Sequence, residues 1–540
     1  MEPRAAAVPK SQEDKIELRR DVTVWGSYMW GYADVGADIY AALGLVMAAA
    51  QGATNLAFAF AGLVYIMIGL AYTELAATYP VAGGGQYFTL RGLGDFWGFI
   101  AGAALLLDYT IDIALFSVAS TGYVNALVQF ATGTNLTEIA VPVGPFDVKT
   151  VWLAEALFLI GALVWLNIKG IRESSLFNEI VGAVDIVTES SIIVFGLLLA
   201  WKPEMLFHQW VFEFPSVDRF MYGSSLAIIS FVGLESISQA AQETRRPATI
   251  VPRTSITLVF TVFIFALFFS TVSLGILPWN EFVGHEQDAI ALLASSIPFL
   301  GIIAGPFAAA LGASILAISA NSGVLSASRL TYSMSRYNVL SEWFNKVHSK
   351  YRTPARATVT FSLIGVLQTV LSFLTPSAMD TLGNMYAFGA TLGYTLVFIS
   401  LINLRFSDPY SPRPFKMPLN IKWRHSGRVI DVPILGFIGM LGVSAILFEV
   451  VLTHPLGRVA GPAWIIGWLA YYVWYRRRHG LPLGTVKRDW ESEQMQVLTA
   501  AEEWEMLEDY KEALANRERD KLSSGTGKHP GRSASVGGAG

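Results

Sequence analysis

The sequence has no cysteine and little charge. Without thiols there is no disulfide, no thiolate metal site and no cysteine nucleophile, and the redox compartment is left undetermined. Asp, Glu, Lys and Arg make up only 15% of 540 residues, while 53% are hydrophobic. With a mean hydropathy of +0.46 the chain is too apolar for a soluble globular protein of this size. The net charge of −4 is spread over loops and tail, so no basic patch is offered to nucleic acid. Residues 1–20 are polar and lack the apolar core of a cleavable signal peptide, which leaves membrane targeting to the first apolar segment.

What the sequence does have is long apolar runs. Stretches of about 20 residues, enough for a helix to cross the hydrocarbon core, recur about twelve times. They cover 24–50, 55–79, 95–130, 151–168, 177–200, 218–243, 253–277, 298–337, 357–374, 379–404, 431–453 and 458–476. An all-α polytopic membrane protein is expected. Alternate loops collect Lys169, Arg172, Arg245, Arg246, Lys346, Lys350, Arg352, Arg356, Arg405 and Arg476 to Arg478, whereas the others keep chiefly Lys149, Lys202 and Arg458. Positive loops resist translocation, so both termini are expected in the cytoplasm of a cell carrying the protein in its plasma membrane. The organisation predicted is a cytoplasmic segment 1–23, a transmembrane core 24–478, a cytoplasmic amphipathic helix 479–522 and a Gly/Ser-rich disordered tail 523–540. In the third of these Val497, Ala501, Trp504, Leu507, Tyr510 and Leu514 recur at helical spacing.

Two apolar segments are interrupted at comparable places in the two halves of the core. These are Asp34-Val35-Gly36-Ala37-Asp38 in the first and Phe231-Val232-Gly233-Leu234-Glu235 in the sixth. A helix broken at membrane depth frees backbone N–H and C=O groups, which must be satisfied by protein, an ion or a solute. Paired interruptions point to inverted repeats around a binding site. Gly36 and Gly233 could instead serve close helix packing.

The chain resembles the amino acid–polyamine–organocation superfamily. Tyr72-Thr73-Glu74-Leu75 with Tyr79-Pro80 to Gln86-Tyr87 resembles that family's loop after the second helix. Phe231 to Ser236, Gln242-Glu243 and Pro247 to Arg253 resemble its sixth helix and exit, and Ser328 to Tyr332 with Thr353 to Ala357 the eighth helix and its loop. Arg413-Pro414-Phe415-Lys416-Met417-Pro418 resembles the turn before the eleventh. The resemblance implies a 5+5 inverted repeat of the LeuT-like kind, with discontinuous helices 1 and 6 and two further C-terminal helices.

Acids inside the spans come in pairs four apart: Asp34 and Asp38, Asp108 and Asp112, Asp185 and Glu189. On continuous helix each pair shares a face. Glu235 adds another. Two adjacent carboxylates in low dielectric cannot both stay ionised unattended, so each pair shares a proton or holds a cation. Asp38 could also cap the half-helix after the break, Glu235 could stitch the sixth, and Asp112 could reach the outer interface. Glu74 and Glu155 read as structural or interfacial.

Two departures from the family pattern bear on the solute. Where many relatives have glycine-small-glycine in the first break, a cradle for an amino acid carboxylate, this chain has Gly36-Ala37-Asp38, and Asp38 repels that group. Where some proton-coupled relatives place a lysine seven residues after an asparagine, counting from Asn178 arrives at Asp185. An acid there suggests a true cation or a titrating proton. Ser319, Asn321, Ser322 and Ser326 offer neutral oxygens nearby, or serve helix–helix hydrogen bonding.

The function expected is secondary active transport of amino acids or organic amines, cationic ones favoured, by alternating access. Gly36, Ala37, Asp38, Tyr40, Asp108, Tyr109, Phe231, Gly233 and Glu235 are the expected solute site. Asp34, Asp185, Glu189, Ser319 and Ser322 are the expected site for a coupling proton or sodium ion. No cofactor is expected, the partners are a cationic or zwitterionic solute and the bilayer, and a homo-oligomer is left open. Import of potassium or another inorganic cation is the alternative, because Asp34-Val35-Gly36 with Tyr40, Asp108-Tyr109 and Glu235 also resemble acid and tyrosine positions of bacterial potassium uptake permeases. Intramembrane aspartyl proteolysis is the remote one, lacking the Gly-x-Gly-Asp pattern.

Overall fold

The computed structural model describes residues 24–523, apart from 144, 170–173, 240, 242, 243, 245, 349, 352, 426 and 427. The segment 1–23, all but the first residue of the tail 523–540, and Arg172, Gln242, Glu243, Arg245 and Arg352 therefore lie outside the described residues.

The chain is built from helices. The first apolar segment forms α1 (Val24–Val35) and α2 (Asp38–Ala50), and the second forms α3 (Thr54–Thr78). A short helix α4 (Gly84–Leu93) precedes the long α5 (Asp95–Thr132), which is followed by α6 (Thr150–Lys169), α7 (Ser174–Phe195) and the short α8 (Pro203–Phe212). The sixth apolar segment forms α9 (Val217–Ala227) and α10 (Glu235–Gln239). Then come α11 (Pro247–Ile276), the short α12 (Ala289–Ser295), α13 (Gly301–Arg336), α14 (Ala355–Ser372), α15 (Ala378–Ser407), α16 (Ile434–Thr453) and α17 (Pro455–Arg478). Among the described residues ten helical stretches have the length and apolarity of a membrane span. One of them, Val24–Thr78, joins the first two expected spans, and α17, which ends in three arginines, is as long but less apolar.

Two small antiparallel hairpins lie in the loops: β1 (Val141–Val143) with β2 (Phe146–Val148), and β3 (Asn420–His425) with β4 (Arg428–Pro433). The latter holds Lys422 opposite Asp431. At 38 residues α5 is about 57 Å long at 1.5 Å per residue, nearly twice the hydrocarbon thickness. It is the axis of the bundle, packed chiefly on α13 and α15, while α3 packs on α11. Small residues permit that closeness: a Cβ on Gly323 of α13 would stand 3.0 Å from the Tyr109 carbonyl oxygen, and one on Gly389 of α15 would stand 3.0 Å from the Asp108 nitrogen.

One end of the bundle is rich in arginine. There Glu74 at the end of α3 receives Arg405 on both oxygens, at 2.5 and 2.6 Å, with Arg413 at 3.4 Å and the Met417 N–H at 2.8 Å. The Arg413 to Pro418 motif is thus the strap that ties the β3–β4 hairpin to α3. Beyond α17 the stretch expected as one amphipathic helix is two, α18 (Trp490–Ala500) and α19 (Trp504–Ser523). The chain reverses at Glu502, whose φ is +57°, so Leu498 and Leu507 approach the same surface from different helices. A continuous stripe would have let only one helix face reach it.

Candidate functional site

Both interrupted segments are broken where the sequence reading placed the breaks. α1 closes its last turn with the Gly36 N–H on the Tyr32 carbonyl at 2.7 Å, and α2 begins two residues later. In the sixth segment α9 tightens into a 3₁₀ turn at Ile228–Phe231, Val232 is extended, and Gly233 takes φ +108° before α10 starts at Glu235. The two gaps meet. A Cβ on Gly233 would stand 3.1 Å from Asp34 Oδ2 and 3.1 Å from Val35 Cγ2. Glycine is needed there for the sign of φ and for the approach. Gly233→Ala should therefore store about 1–3 kcal/mol of strain and lower uptake by roughly tenfold, measured alongside the melting temperature of purified protein. An alanine variant with parental uptake and melting would show that neither constraint is real.

Around this meeting point stand Asp34, Asp38, Asp108, Asp112 and Glu235, the most open of them 5% exposed and Asp108 wholly buried. Asp108 faces Glu235, Asp34 also faces Glu235, and Asp38 faces Asp112, Asp34 and Asp108. Asp112, set aside in the sequence reading as a possible interfacial residue, lies inside the helix bundle beside Tyr386, because α5 runs on for 20 residues beyond it. The Asp34 and Asp38 spacing does not work as read: the break separates them, and the fold of the break rather than a shared helical face brings them together.

Donors to these acids are few. Glu235 Oε2 accepts the Tyr394 hydroxyl at 2.9 Å and the Gly233 N–H at 3.2 Å, so this oxygen stitches the break while Oε1 has no partner. Asp38 Oδ1 accepts the Ser319 hydroxyl at 3.2 Å, and Ala37, not Asp38, occupies the capping position of α2. The Ser322 and Ser236 hydroxyls lie beside Asp34. Both oxygens of Asp108 and Oδ1 of Asp112 lack a hydroxyl or N–H donor, and Asp108 lies within hydrogen-bond reach of the Glu235 carboxyl. Among the described residues none of the five is in an ion pair. An acid at such depth costs roughly 2.5–3.5 kcal/mol on insertion scales, and nothing basic in the described bundle offsets it.

A second acid pair stands on α7. Asp185 and Glu189 are four apart on continuous helix and share a face, as read from the sequence. The Tyr40 hydroxyl donates to Asp185 Oδ1 at 2.7 Å and the Tyr32 hydroxyl to Glu189 Oε2 at 2.5 Å, leaving Asp185 Oδ2 and Glu189 Oε1 without partners. Tyr32 belongs to α1 and Tyr40 to α2, so α7 grips the first segment on both sides of its break. Tyr40, expected at the solute site, thus belongs with the α7 pair in this structure, and Asp34, expected with the coupling ion, stands in the central group.

Phe231 is buried and stacks on Tyr65 at 5.0 Å between ring centroids. Tyr109 is buried next to Asp108. Asn321 accepts a hydrogen bond from Asn167 at 2.6 Å and so joins α13 to α6, and Glu155 accepts one from Asn125 at 2.6 Å. The residues that sequence reasoning missed are Tyr32, Tyr386 and Tyr394. Only Tyr32, one turn before Gly36, carried a local signal.

Among the described residues no three His, Cys, Asp or Glu side chains converge as a metal-ligand set. Asp34, Asp38 and Glu235 lie at the two breaks, Asp108 and Asp112 stand beside them on α5, and hydroxyls are interleaved among them.

Residues 24–473 match the model of a family described as amino acid permease. The chain is 27% identical over 475 residues to a branched-chain amino acid permease of Bacillus subtilis, covering 86% of this chain and 94% of that one. It is 29% identical over 394 residues to cationic amino acid transporter 4 of Mus musculus, covering 70% of this chain and 59% of that one. It is 24% identical over 488 residues to a methylthioribose transporter of Bacillus subtilis, covering 87% and 96%.

Proposed function

The chain belongs to the amino acid permease family, within the amino acid–polyamine–organocation superfamily, and from that premise we propose that it carries cationic amino acids or organic amines by secondary active transport. It is a multi-pass membrane transporter for amino acids or related organic solutes, not an enzyme.

One observation carries the cationic preference: five buried acids surround the meeting point of two helix breaks without a basic partner among the described residues. A positive solute offsets their mutual repulsion, and the oxygens lacking donors on Asp108, Asp112 and Glu235 are free to take ammonium or guanidinium N–H groups. Asp38 already occupies the anion-favouring first turn of α2, which disfavours a solute held there by its carboxylate. The relatives named for cationic amino acids agree with this, and those named for branched-chain amino acids and methylthioribose set the comparison to be made.

The breaks mark the hinge of alternating access, in the manner of two inverted five-helix repeats with two added helices. The α7 pair is the proton site, with sodium as the other coupling ion to be tested. The Arg-rich end faces the cytoplasm of a cell with the protein in its plasma membrane, by the positive-inside rule. Import of an inorganic cation is the second reading, favoured by the partnerless oxygens of Tyr65, Tyr72 and Asp108.

Purified protein in liposomes, given labelled arginine, agmatine, putrescine, leucine and rubidium under separate proton and sodium gradients, tests all of this. The expected result is saturable uptake of an organic cation driven by a proton gradient, and in Asp185→Asn a loss of that drive with exchange retained. Uptake of leucine or rubidium alone would overturn the cationic organic reading.

A further inference from the structure

The C-terminal helices support an inference that leaves the central site aside and rests on the proposed function only in requiring the Arg-rich end to open during transport. The bundle has a seam at that end. α3 and α11 pack together and against the broken segments, α11 on α1 and α3 on α9, whereas α5 and α13 pack together with α14 and α6. α18 and α19 bond to both sides.

On the first side the Gln494 side-chain N–H donates to the Thr78 carbonyl at 2.8 Å. Glu503 accepts the Ala248 N–H at 3.0 Å in the first turn of α11, whose own N-cap residue, Arg246, supplies no side-chain cap. Ala248 is packed with Leu498, Met506, Leu507 and Tyr510. On the other side Arg91 of α4 donates to the Gln494 side-chain oxygen at 2.9 Å, and the Tyr337 hydroxyl, just after α13, donates to Glu493. Arg488, in the connection before α18, pairs with both oxygens of Asp95 at 2.6 and 3.0 Å. The Trp490 ring meets Tyr87 edge-on at 6.0 Å. Arg91 extends the tie to Asp408 at 2.9 Å. Burial pushes the Asp408 carboxyl up, but Arg91 and the Ser411 hydroxyl outweigh it and hold it below the usual carboxylate range, so that pair is ionised at neutral pH. Beneath the helices, on this same side, the Ser333 hydroxyl of α13 donates to Gln86 of α4 at 3.2 Å, and Ser333 is buried there.

We propose that α18 and α19 are an autoinhibitory clasp, which when docked holds the two sides of the seam together and must lift before the Arg-rich end opens. A docked segment joined covalently to α17 re-docks at high effective concentration, so the clasp sets an equilibrium between closed and competent forms.

Because the chain has no native thiol, the clasp can be read with introduced ones. A chain ending at Asp489, reconstituted beside the full chain, should take up solute about fivefold faster, the closed fraction being lost. Ser333→Cys in that shortened chain should react with a thiol reagent from the Arg-rich face faster than in the full chain. Conversely, Ala248→Cys with Leu507→Cys, bridged by oxidation, should lower uptake by about tenfold and regain it on reduction. Parental uptake after bridging overturns the clasp whatever the shortened chain does. A shortened chain that inserts fully yet transports more slowly makes α18 and α19 a brace and overturns it too. If the parent chain shows no uptake of any solute, the proposed function fails, while unchanged Ser333→Cys labelling in the shortened chain would still overturn the clasp.

Discussion

Asp108→Asn lowers saturable uptake of an organic cation by about a hundredfold or more, and Asp38→Asn does the same, with both variants in the membrane at the parental level. The size follows from removing one charged partner of a desolvated contact, worth roughly 2–5 kcal/mol, at about 1.4 kcal/mol per tenfold. Asparagine keeps the shape of aspartate, so what is lost is charge. Asp108 accepts no hydrogen bond that an amide would break, and it faces Glu235. The new amide N–H can donate to Glu235, so Asp108→Asn should melt no lower than the parent. At Asp38 the amide oxygen still accepts from Ser319. Loss of transport without loss of stability distinguishes a solute contact from a structural acid. Unchanged uptake in both variants would leave the central group without a role in transport.

Glu74→Ala should be the most damaging single change outside the membrane core, lowering stability by roughly 3–5 kcal/mol, because it strands the buried guanidinium of Arg405. The same carboxylate also receives Arg413 and the Met417 N–H, so its loss releases the strap between α15 and the β3–β4 hairpin. Glu74→Gln keeps one or two of the four contacts and should fall between. A thermal melt of detergent-solubilised protein reads both. A Glu74→Ala protein that melts with the parent would mean that the pair adds nothing over a hydrated arginine.

The bundle and its two breaks were legible in the sequence because lipid enforces uniform apolarity, and a glycine beside an acid interrupts that uniformity visibly. Asp185 with Glu189 was legible for a related reason: spacing of four on a helix that stays continuous is a spatial statement. The same spacing failed for Asp34 and Asp38, since the rule holds only where the helix does. Tyr394 and Tyr386 could not be found in this way. Tyr394 meets an acid 159 residues away, and tyrosine in an apolar helix differs little from a lipid-facing or core aromatic until the fold aims its hydroxyl. The division of the C-terminal helix escaped for another reason. A turn at Glu502, with no glycine or proline to announce it, is decided by the surface on which Leu498 and Leu507 come to rest.

The grip of α7 on the two half-helices makes the first segment something other than a free swivel. Asp185 and Glu189 are one helical turn apart, about 6 Å of rise; the Tyr40 hydroxyl of α2 secures Asp185, and the Tyr32 hydroxyl of α1 secures Glu189 and also lies beside Asp185. If α1 tilts while α2 stays, the Tyr32 hydroxyl leaves both acids, Asp185 keeps Tyr40, and Glu189 is left without a donor. The affinity of α7 for a proton then depends on which way the segment leans, and by reciprocity a proton bound there biases the lean.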